Sequence, residues 1–410
     1  TFASGLFADQ FTASNPYVAF ILPKLSDAAG IYHTNPHLYY IPKQPVLGDF
    51  NDTFGDRLYL VEERADGDWR DLPSFGNSKE LVSTLDLLEE VQEDHDHRVD
   101  YRAVVRARLF DNMVGDWDRH DDNWRWATIK DENSGVTWYR PIPRDRDQPF
   151  SKWDGAVPAM VRIGTPFLKQ LRPYDGKIAN IKWLNYHSKY FDPTFLSGAD
   201  WSVWEDEALK MKAAVTDEVI AQAMEDFPKE IKAIDAPWIT PRLRQRRDDL
   251  PDIARRFYLL MARKVDVVGT EEHDHFTVER LDDERTRVRI YHSNKKGEKK
   301  GAPFFERTFL RSETKEVRLY GLGQEDHFTL TGNVDKGILV RCIGGLDNDT
   351  FDDQSSVAGL RKMTHFYDTK KDNQLLTGTE AANIFASSFH CLCFRINSKG
   401  RRRCNIRCPS

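Results

Sequence analysis

Apolar and polar positions follow several different spacings along this chain. Residues 6–29 carry helical spacing. Residues 37–42 and 57–64 read as short strands, the second through Leu58, Leu60 and Val61, with a turn-rich link at 48–55 between them. From 83 to 115 the spacing predicts two helices. The second starts near Asp100, places Val105, Leu109 and Met113 four apart with Phe110 and Val114 beside them, and meets Gly115 as its stop. A loop must follow. Beyond it, Trp124–Lys130 and residues 136–142 are rich in β-branched and aromatic residues on either side of a turn at 131–135, which predicts a hairpin. Helical patterning returns over 201–265, with a start at 215–218 and one long amphipathic segment at 243–265. From 266 onward short strands are expected at 276–281, 288–291, 316–320 and 338–343.

A weak repeat runs through the β-rich part. Gly321, Asp326 and Phe328 recur 23 residues on as Gly344, Asp349 and Phe351, each group following a strand. That offset suits stacked β rungs. The same residue types occur in calcium-binding β-roll turns, but turn and core roles for the glycines and phenylalanines are the simpler expectation. The fold class expected is therefore α+β. A short first part, 1–70, precedes a mostly helical block with an embedded hairpin at 71–265, a β-rich domain at 266–377 and an irregular tail at 378–410.

Composition narrows the choices. With 40% hydrophobic and 30% charged residues the chain has enough apolar material for packed cores and solvated surfaces. A net charge of −6 over 410 residues gives no global attraction to nucleic acid or to an anionic membrane, so nucleic acid is not an expected partner. No apolar run approaches the ~18 residues of a membrane span. Cys342 stands alone, whereas Cys391, Cys393, Cys404 and Cys408 crowd the end beside Arg401, Arg402 and Arg403. A disulfide framework for the body is excluded, and the tail reads as poorly structured, with a small zinc or disulfide module as the alternative. The chain starts at Thr1 with no leader pattern, and we expect it to be a fragment of a longer protein.

Chemistry concentrates at the two ends of the hairpin. Before it stands Gly115-Asp116-Trp117-Asp118-Arg119-His120-Asp121-Asp122-Asn123, and after it Arg144-Asp145-Arg146-Asp147. A hairpin brings the residues before its first strand beside those after its second, so Asp118, Asn123, Asp145 and Asp147 are expected to converge on a divalent cation. Phosphoryl transfer needs such a set: a carboxylate to take the proton of the attacking hydroxyl, and an Asn and an Asp to hold Mg²⁺ against the phosphates. Asp118 and Asn123 have the spacing of the base and metal Asn in a kinase catalytic loop. Asp145 or Asp147 then supplies the second metal carboxylate, and His120 is either a brace for the loop or an alternative proton acceptor.

These two segments resemble the D-R-H-x-x-N…P-W-D-x-D-x-x-F pattern of CotH-like atypical kinases and, more distantly, lipid kinases. Residues 1–370 further resemble a region of large cell-envelope proteins, notably of Bacteroidetes, that follows a calcineurin-like metallophosphoesterase and precedes an outer-membrane surface-antigen barrel. The resemblance implies a truncated protein-kinase-like fold, with a small-lobe remnant at 1–70 and the mostly helical large lobe at 71–265. It implies Asp118 as the catalytic Asp with His120 as the family His, and Asn123, Asp145 and Asp147 as ligands of Mg²⁺ or Mn²⁺ and thereby of ATP. The implied activity is transfer of phosphate from ATP to a protein or cell-envelope component. A catalytically silent module, covalently linked to the phosphoesterase and the barrel, is the rival. Two departures stand out: Arg144 occupies the Trp position of the pattern, and no glycine-rich loop or strand Lys precedes the helical block. Neither Lys24 nor Lys43 lies on a strand followed by a helix with a Glu partner.

Other motifs carry less. The runs Asp94-His95-Asp96-His97 and His273-Asp274-His275 are expected to be solvated loops, and 295–300 a turn. A metallophosphoesterase site in this chain is excluded, because Gly115 to Arg119 lacks the G-D-x-x-D spacing. No G-x-S-x-G elbow, Walker loop or dinucleotide fingerprint with suitable flanks is present.

Overall fold

The structure is a computed structural model that describes residues 14–154, 162, 168–369, 373–377 and 381–386. The chain is α+β, and its described residues form two large hydrophobic cores, one in a mainly helical part and one between sheets.

Helix α1 (Leu22–Ala29) buries Leu22, Leu25 and Ala29 and stops at Gly30, whose φ of 65° ends it in a left-handed turn. The helix expected over 6–29 is therefore shorter, preceded by a 3₁₀ turn at Val18–Phe20; residues 1–13 lie outside the described residues. Strands β1 (His37–Ile41) and β2 (Arg57–Val61) pair antiparallel as an isolated ribbon with apolar side chains such as Tyr40 and Leu58 exposed.

Strand β3 (Leu81–Ser83) runs into α2 (Thr84–Glu93), whose start is fixed by a reciprocal capping box between Ser83 and Asp86. Then come β4 (His97–Val99) and α3 (Tyr101–Val114), capped by the Asp100 carboxylate at Ala103 N and closed by Gly115. The hairpin is β5 (Trp124–Lys130) and β6 (Thr137–Pro143), paired from Trp124↔Pro143 to Lys130↔Thr137. It forms the centre of a four-stranded sheet ordered β3-β5-β6-β4. Its inner face carries Trp124 and Trp126, and Trp124 stacks on Phe191 at 4.6 Å.

Two short helical turns (Ile181–Leu184 and Phe191–Phe195) and four longer helices complete this part: α4 (Trp201–Ala214), α5 (Asp217–Met224), α6 (Lys229–Asp248) and α7 (Leu250–Ala262). The single helix expected at 243–265 breaks at Asp249. Pro251 sits in the first turn of α7, where its missing N–H costs nothing, and thereby starts a new helix. The end of that segment is not helical at all. Val265, Val267 and Val268 lie in β7 (Lys264–Val268), because a β-branched run pairs better than it coils.

From β7 the chain winds into two facing sheets. Its strands are β8 (Asp274–Arg280), β9 (Arg285–His292), β10 (Lys300–Leu310), β11 (Glu316–Leu322) and β12 (His327–Thr331). After the short β13 (Asn333–Val334) come β14 (Leu339–Gly345), β15 (Thr350–Asp353), β16 (Ser356–Val357), β17 (Thr364–Thr369), β18 (Gln374–Thr377) and β19 (Ala381–Ala386). One sheet is ordered β19-β17-β14-β11-β7, all parallel; the other is β10-β9-β8-β12-β15-β18, parallel except that β9 runs antiparallel to both β8 and β10. Each rung gives one strand to each sheet, which is how the 23-residue offset becomes a stack. Phe276, Phe328 and Phe351 stack between the sheets at 4.6 and 5.1 Å. Strand β19 adds to this stack at positions expected to belong to the irregular tail. The four tail cysteines lie outside the described residues.

The repeat has an earlier copy. Gly269, Asp274 and Phe276 align with Gly321, Asp326 and Phe328 through the β8–β12 pairing, at an offset lengthened by the inserted β9–β10 hairpin. The aspartates form a buried ladder: Asp326 Oδ1 accepts from Asp274 N at 2.8 Å, Asp349 Oδ1 from Asp326 N at 2.9 Å, and Asn373 Oδ1 from Asp349 N at 2.7 Å. A Cβ at Gly321 or Gly344 would lie 2.0 Å from the Oδ2 of the next ladder aspartate, so only glycine fits there.

Candidate functional site

The loop after α3 and the segment after β6 meet because β5 and β6 pair to their ends. Arg119 fastens the two together, donating from Nη1 to the Arg144 carbonyl at 2.7 Å and from Nη2 to the Asn123 carbonyl at 2.9 Å, with its guanidinium over the Trp124 ring. Arg144 N also donates to Asn123 O at 3.0 Å. Gly115, at φ 79°, turns the chain out of α3 against Tyr174, which a Cβ would meet at 2.7 Å. Asp145 is held at φ 54°, a left-handed conformation that Asp tolerates better than most residues and that re-aims the chain directly after the strand.

Beneath the loops lies a buried ion network. Arg108 binds Asp111 at 2.6 Å and Asp192 at 2.7 Å, while Arg146 reaches from the far side to Asp111 at 2.7 Å and Asp116 at 3.2 Å. Three arginines, with Arg119, balance three aspartates, which is the condition under which so much charge stays buried. Burial pushes the Asp111 carboxyl up, but Arg146, Arg119 and Arg108 together overcome it and hold it below the ordinary range. Asp116 has weaker partners. Burial prevails there, against Arg119 and Arg146, and moves its carboxyl up to about 7.

The residues expected from the sequence fall as follows. Asp118 is half-buried and its Oδ1 lies 2.7 Å from His187 Nδ1. Burial raises its carboxyl, but the His187 bond and the charges of His187, His120 and Arg119 outweigh it, so the net shift is downward and Asp118 is kept ionised. Asn123 is buried and donates from Nδ2 to the Asp118 carbonyl at 2.6 Å, which leaves Oδ1 as the amide atom able to accept a cation. His120 is exposed at the loop edge. Asp145 and Asp147 are on the surface. Desolvation raises the Asp147 carboxyl, and the negative charges of Asp145 and Asp118 push it further up. They do not form a preformed cage. Among the described residues the one group of three or more His, Cys, Asp or Glu ligand atoms within 4.8 Å of one another is His95, Glu272 and His292.

Sequence reasoning missed His187 and Gln170. Gln170 Nε2 lies 3.0 Å from His187 Nε2, at the ring nitrogen opposite the one that faces Asp118. Neither residue stands in a motif. The ion network had a faint signal: Arg108, Asp111 and Asn112 share helix α3 with an otherwise apolar run. Next to Gln170 and Trp117 opens a cavity of 420 Å³, walled among the described residues by Lys169, Arg172, Lys177 and Arg242, by Trp183 and Trp238, and by two acids, Asp154 and Asp175. Cations and aromatic faces together suit an anionic ligand with a flat ring.

Two runs expected to be solvated loops are not. His95 is 8% exposed, with Nδ1 2.6 Å from Glu272 and Nε2 2.8 Å from Asp274; Asp274 is fully buried and His275 lies within β8. Polar runs fold inward when a partner across the molecule satisfies them.

Comparison with protein-family models, with curated proteins and with solved structures finds no match for this chain.

Proposed function

We propose that this chain carries the catalytic loops of a kinase-like phosphotransferase that moves phosphate from ATP to a protein or cell-envelope component. The observation that carries the reading is the Arg119 clasp. It holds the Asp118–Asn123 loop against the segment bearing Asp145 and Asp147, so a base and three oxygen ligands share one end of the hairpin. A hard cation such as Mg²⁺ or Mn²⁺ fits this all-oxygen donor set, and its charge offsets the desolvation and, after it, the repulsion that raise Asp147. Asn123, Asp145 and Asp147 would hold it, and when bound it supplies charge neutralisation for the phosphates. In the reaction a substrate hydroxyl attacks the γ-phosphorus, the bond to the ADP oxygen breaks, and Asp118 takes the hydroxyl proton. His187 keeps that carboxylate ionised and oriented.

A second reading, a silent module linking a phosphoesterase to a membrane barrel, is favoured by one observation. Lys24 pairs with Asp226 and Lys43 with Asp52, both on the surface, so neither serves the phosphates. Thermal unfolding with Mg-ATP separates the two. The kinase reading expects a rise in Tm of several degrees that Asp145→Ala abolishes. Equal Tm with and without Mg-ATP would leave the silent module.

A further inference from the structure

Where the helical part meets the sheets, three segments distant in sequence bring imidazole and carboxylate groups together. His95 comes from the α2–β4 loop, Glu272 from the β7–β8 loop and His292 from the end of β9, where it pairs across the ladder with Asp274. One ligand atom from each lies within 4.8 Å of the others. We propose that these three side chains bind a single transition-metal ion of the zinc class, tying the helical part to the β stack. The inference is independent of the reading of the acidic loops.

Four observations support it. The first is the proton balance at His95. Its Nε2 faces Asp274 Oδ1 at 2.8 Å and its Nδ1 faces Glu272 Oε2 at 2.6 Å, so the ring carries a proton toward each carboxylate. A metal ion on Nδ1 takes the place of the proton shared with Glu272, while Nε2 keeps its proton and donates it to Asp274. That is the arrangement by which a carboxylate fixes the tautomer of a ligating histidine.

The second is that this outer carboxylate is built in. Asp274 is fully buried, and its Oδ2 accepts the Thr270 N–H at 2.6 Å. The third is the stacking of the His95 and His292 rings at 4.2 Å with planes 15° apart, while Phe304 meets His95 edge-on at 4.8 Å. The stack keeps the two imidazoles side by side, and Phe304 covers one edge of His95. The fourth is access, since a cavity of 300 Å³ opens beside His95.

The donor set selects the ion. Two imidazoles and one carboxylate suit Zn²⁺, Co²⁺ or Ni²⁺ rather than the oxygen-seeking Mg²⁺ and Ca²⁺. Charge agrees once the ion has displaced the Nδ1 proton and left His95 neutral: Glu272 and Asp274 then carry two negative charges against one positive charge on Lys300, which pairs with His292 across β9 and β10. Binding requires a small rearrangement. Ligands sharing a tetrahedral ion at ~2.1 Å sit about 3.4 Å apart, so the 2.6 Å contact must lengthen and the 4.0 Å separation of Glu272 from His292 must shorten. Glu272 and His292, 41% and 40% exposed, are free to make that adjustment, whereas His95 is not required to move. Three protein ligands leave a fourth position for water or a small ligand.

The test is a Co²⁺ titration of the full chain followed in the visible spectrum, then displacement by Zn²⁺. One equivalent of Co²⁺ should give a tetrahedral ligand-field band without a thiolate charge-transfer band, and Zn²⁺ should abolish it and raise Tm. Both His292→Ala and Glu272→Gln, at exposed side chains, should weaken binding at least ~10-fold with unchanged circular dichroism. Either folded variant suffices for the comparison. Absence of the band in the unmodified chain overturns the proposal. So does a band that survives in a folded variant, or one accompanied by thiolate charge transfer, because the ion would then sit on the tail cysteines or elsewhere.

Discussion

Asp118 is the residue on which opposing effects meet. Half-burial favours its neutral form, and His187, His120 and Arg119 favour the carboxylate; the latter group prevails. If Asp118 is the proton acceptor, Asp118→Ala should slow phosphoryl transfer at least ~10³-fold, about 4 kcal/mol of transition-state stabilisation, in a radiolabelled-phosphate assay. His187→Ala removes the bond that lowers the Asp118 carboxyl and leaves the burial that raises it. Because the reactive form is the carboxylate, the acid limb of the pH–rate profile should move to higher pH; an unmoved limb separates His187 from Asp118. Arg146 is a structural counterpart. Arg146→Met leaves Asp111 and Asp116 buried against fewer positive charges, and should cost about 3–5 kcal/mol in urea unfolding. The sequence displayed Asp118, Asn123, Asp145 and Asp147 through their spacing. His187 and Arg146 acquire their roles from contacts 69 and 35 residues away, and no local pattern marks such contacts.

The hairpin and the ladder show what an element adds to its residues. In the ladder, Asp349 and Asp326 are buried above one another, so desolvation first, and then repulsion from neighbouring aspartates, pushes Asp349 to about 9 and Asp326 well above the ordinary value of 3.8. Asp368 is among the neighbours that raise Asp349. A carboxyl raised in the folded state stabilises fully when protonated in both states, below about pH 4, and that contribution is lost as pH rises toward 9. The next rung already shows the neutral solution, since Asn373 makes the same bond to Asp349 N that Asp349 makes to Asp326 N. Asp349→Asn should therefore raise stability at pH 8 by at least ~1 kcal/mol and flatten its decline between pH 4 and 9, measured by thermal melts across that range. A lower Tm at pH 8 would show that the ladder needs the ionised form. The strands β8, β9, β11 and β14 were legible from alternation and the stacking from the 23-residue offset, but β12 and β15, which follow the ladder aspartates, were not. The earliest copy, at Gly269 and Asp274, was not, because the inserted hairpin β9–β10 shifts it out of register with the other two.

At the scale of the whole molecule, two cores are joined by polar contacts at several points, among them the His95 bonds to Glu272 and Asp274 and the Arg307 bond to the Ser197 carbonyl. Glu313 accepts from Tyr258 Oη at 2.7 Å and binds Arg255 at 2.7 Å, Glu271 N donates to Gln92 O at 2.6 Å, and β7 continues directly from α7. An interface of this kind couples two units only while its buried charges remain paired. Calorimetry of the intact chain should give one transition, and Glu313→Ala, which strips both Tyr258 and Arg255 of their partner, should separate it into two. Two transitions in the unmodified chain would show the units to be independent from the start. The sequence by itself determined the helices capped at Ser83 and Asp100, the hairpin, the β texture after 266 and the grouping of acidic residues at the hairpin ends. Each of these is written in spacings of a few residues, where backbone geometry imposes a period. Only the tertiary structure decided that 243–265 is two helices and a strand, that the polar run at His95 turns inward to Asp274, and that Arg119 binds the two acidic segments together. In those cases the outcome depends on which distant surface compensates a buried charge or an unpaired amide, and that compensation exists only once the whole chain has packed.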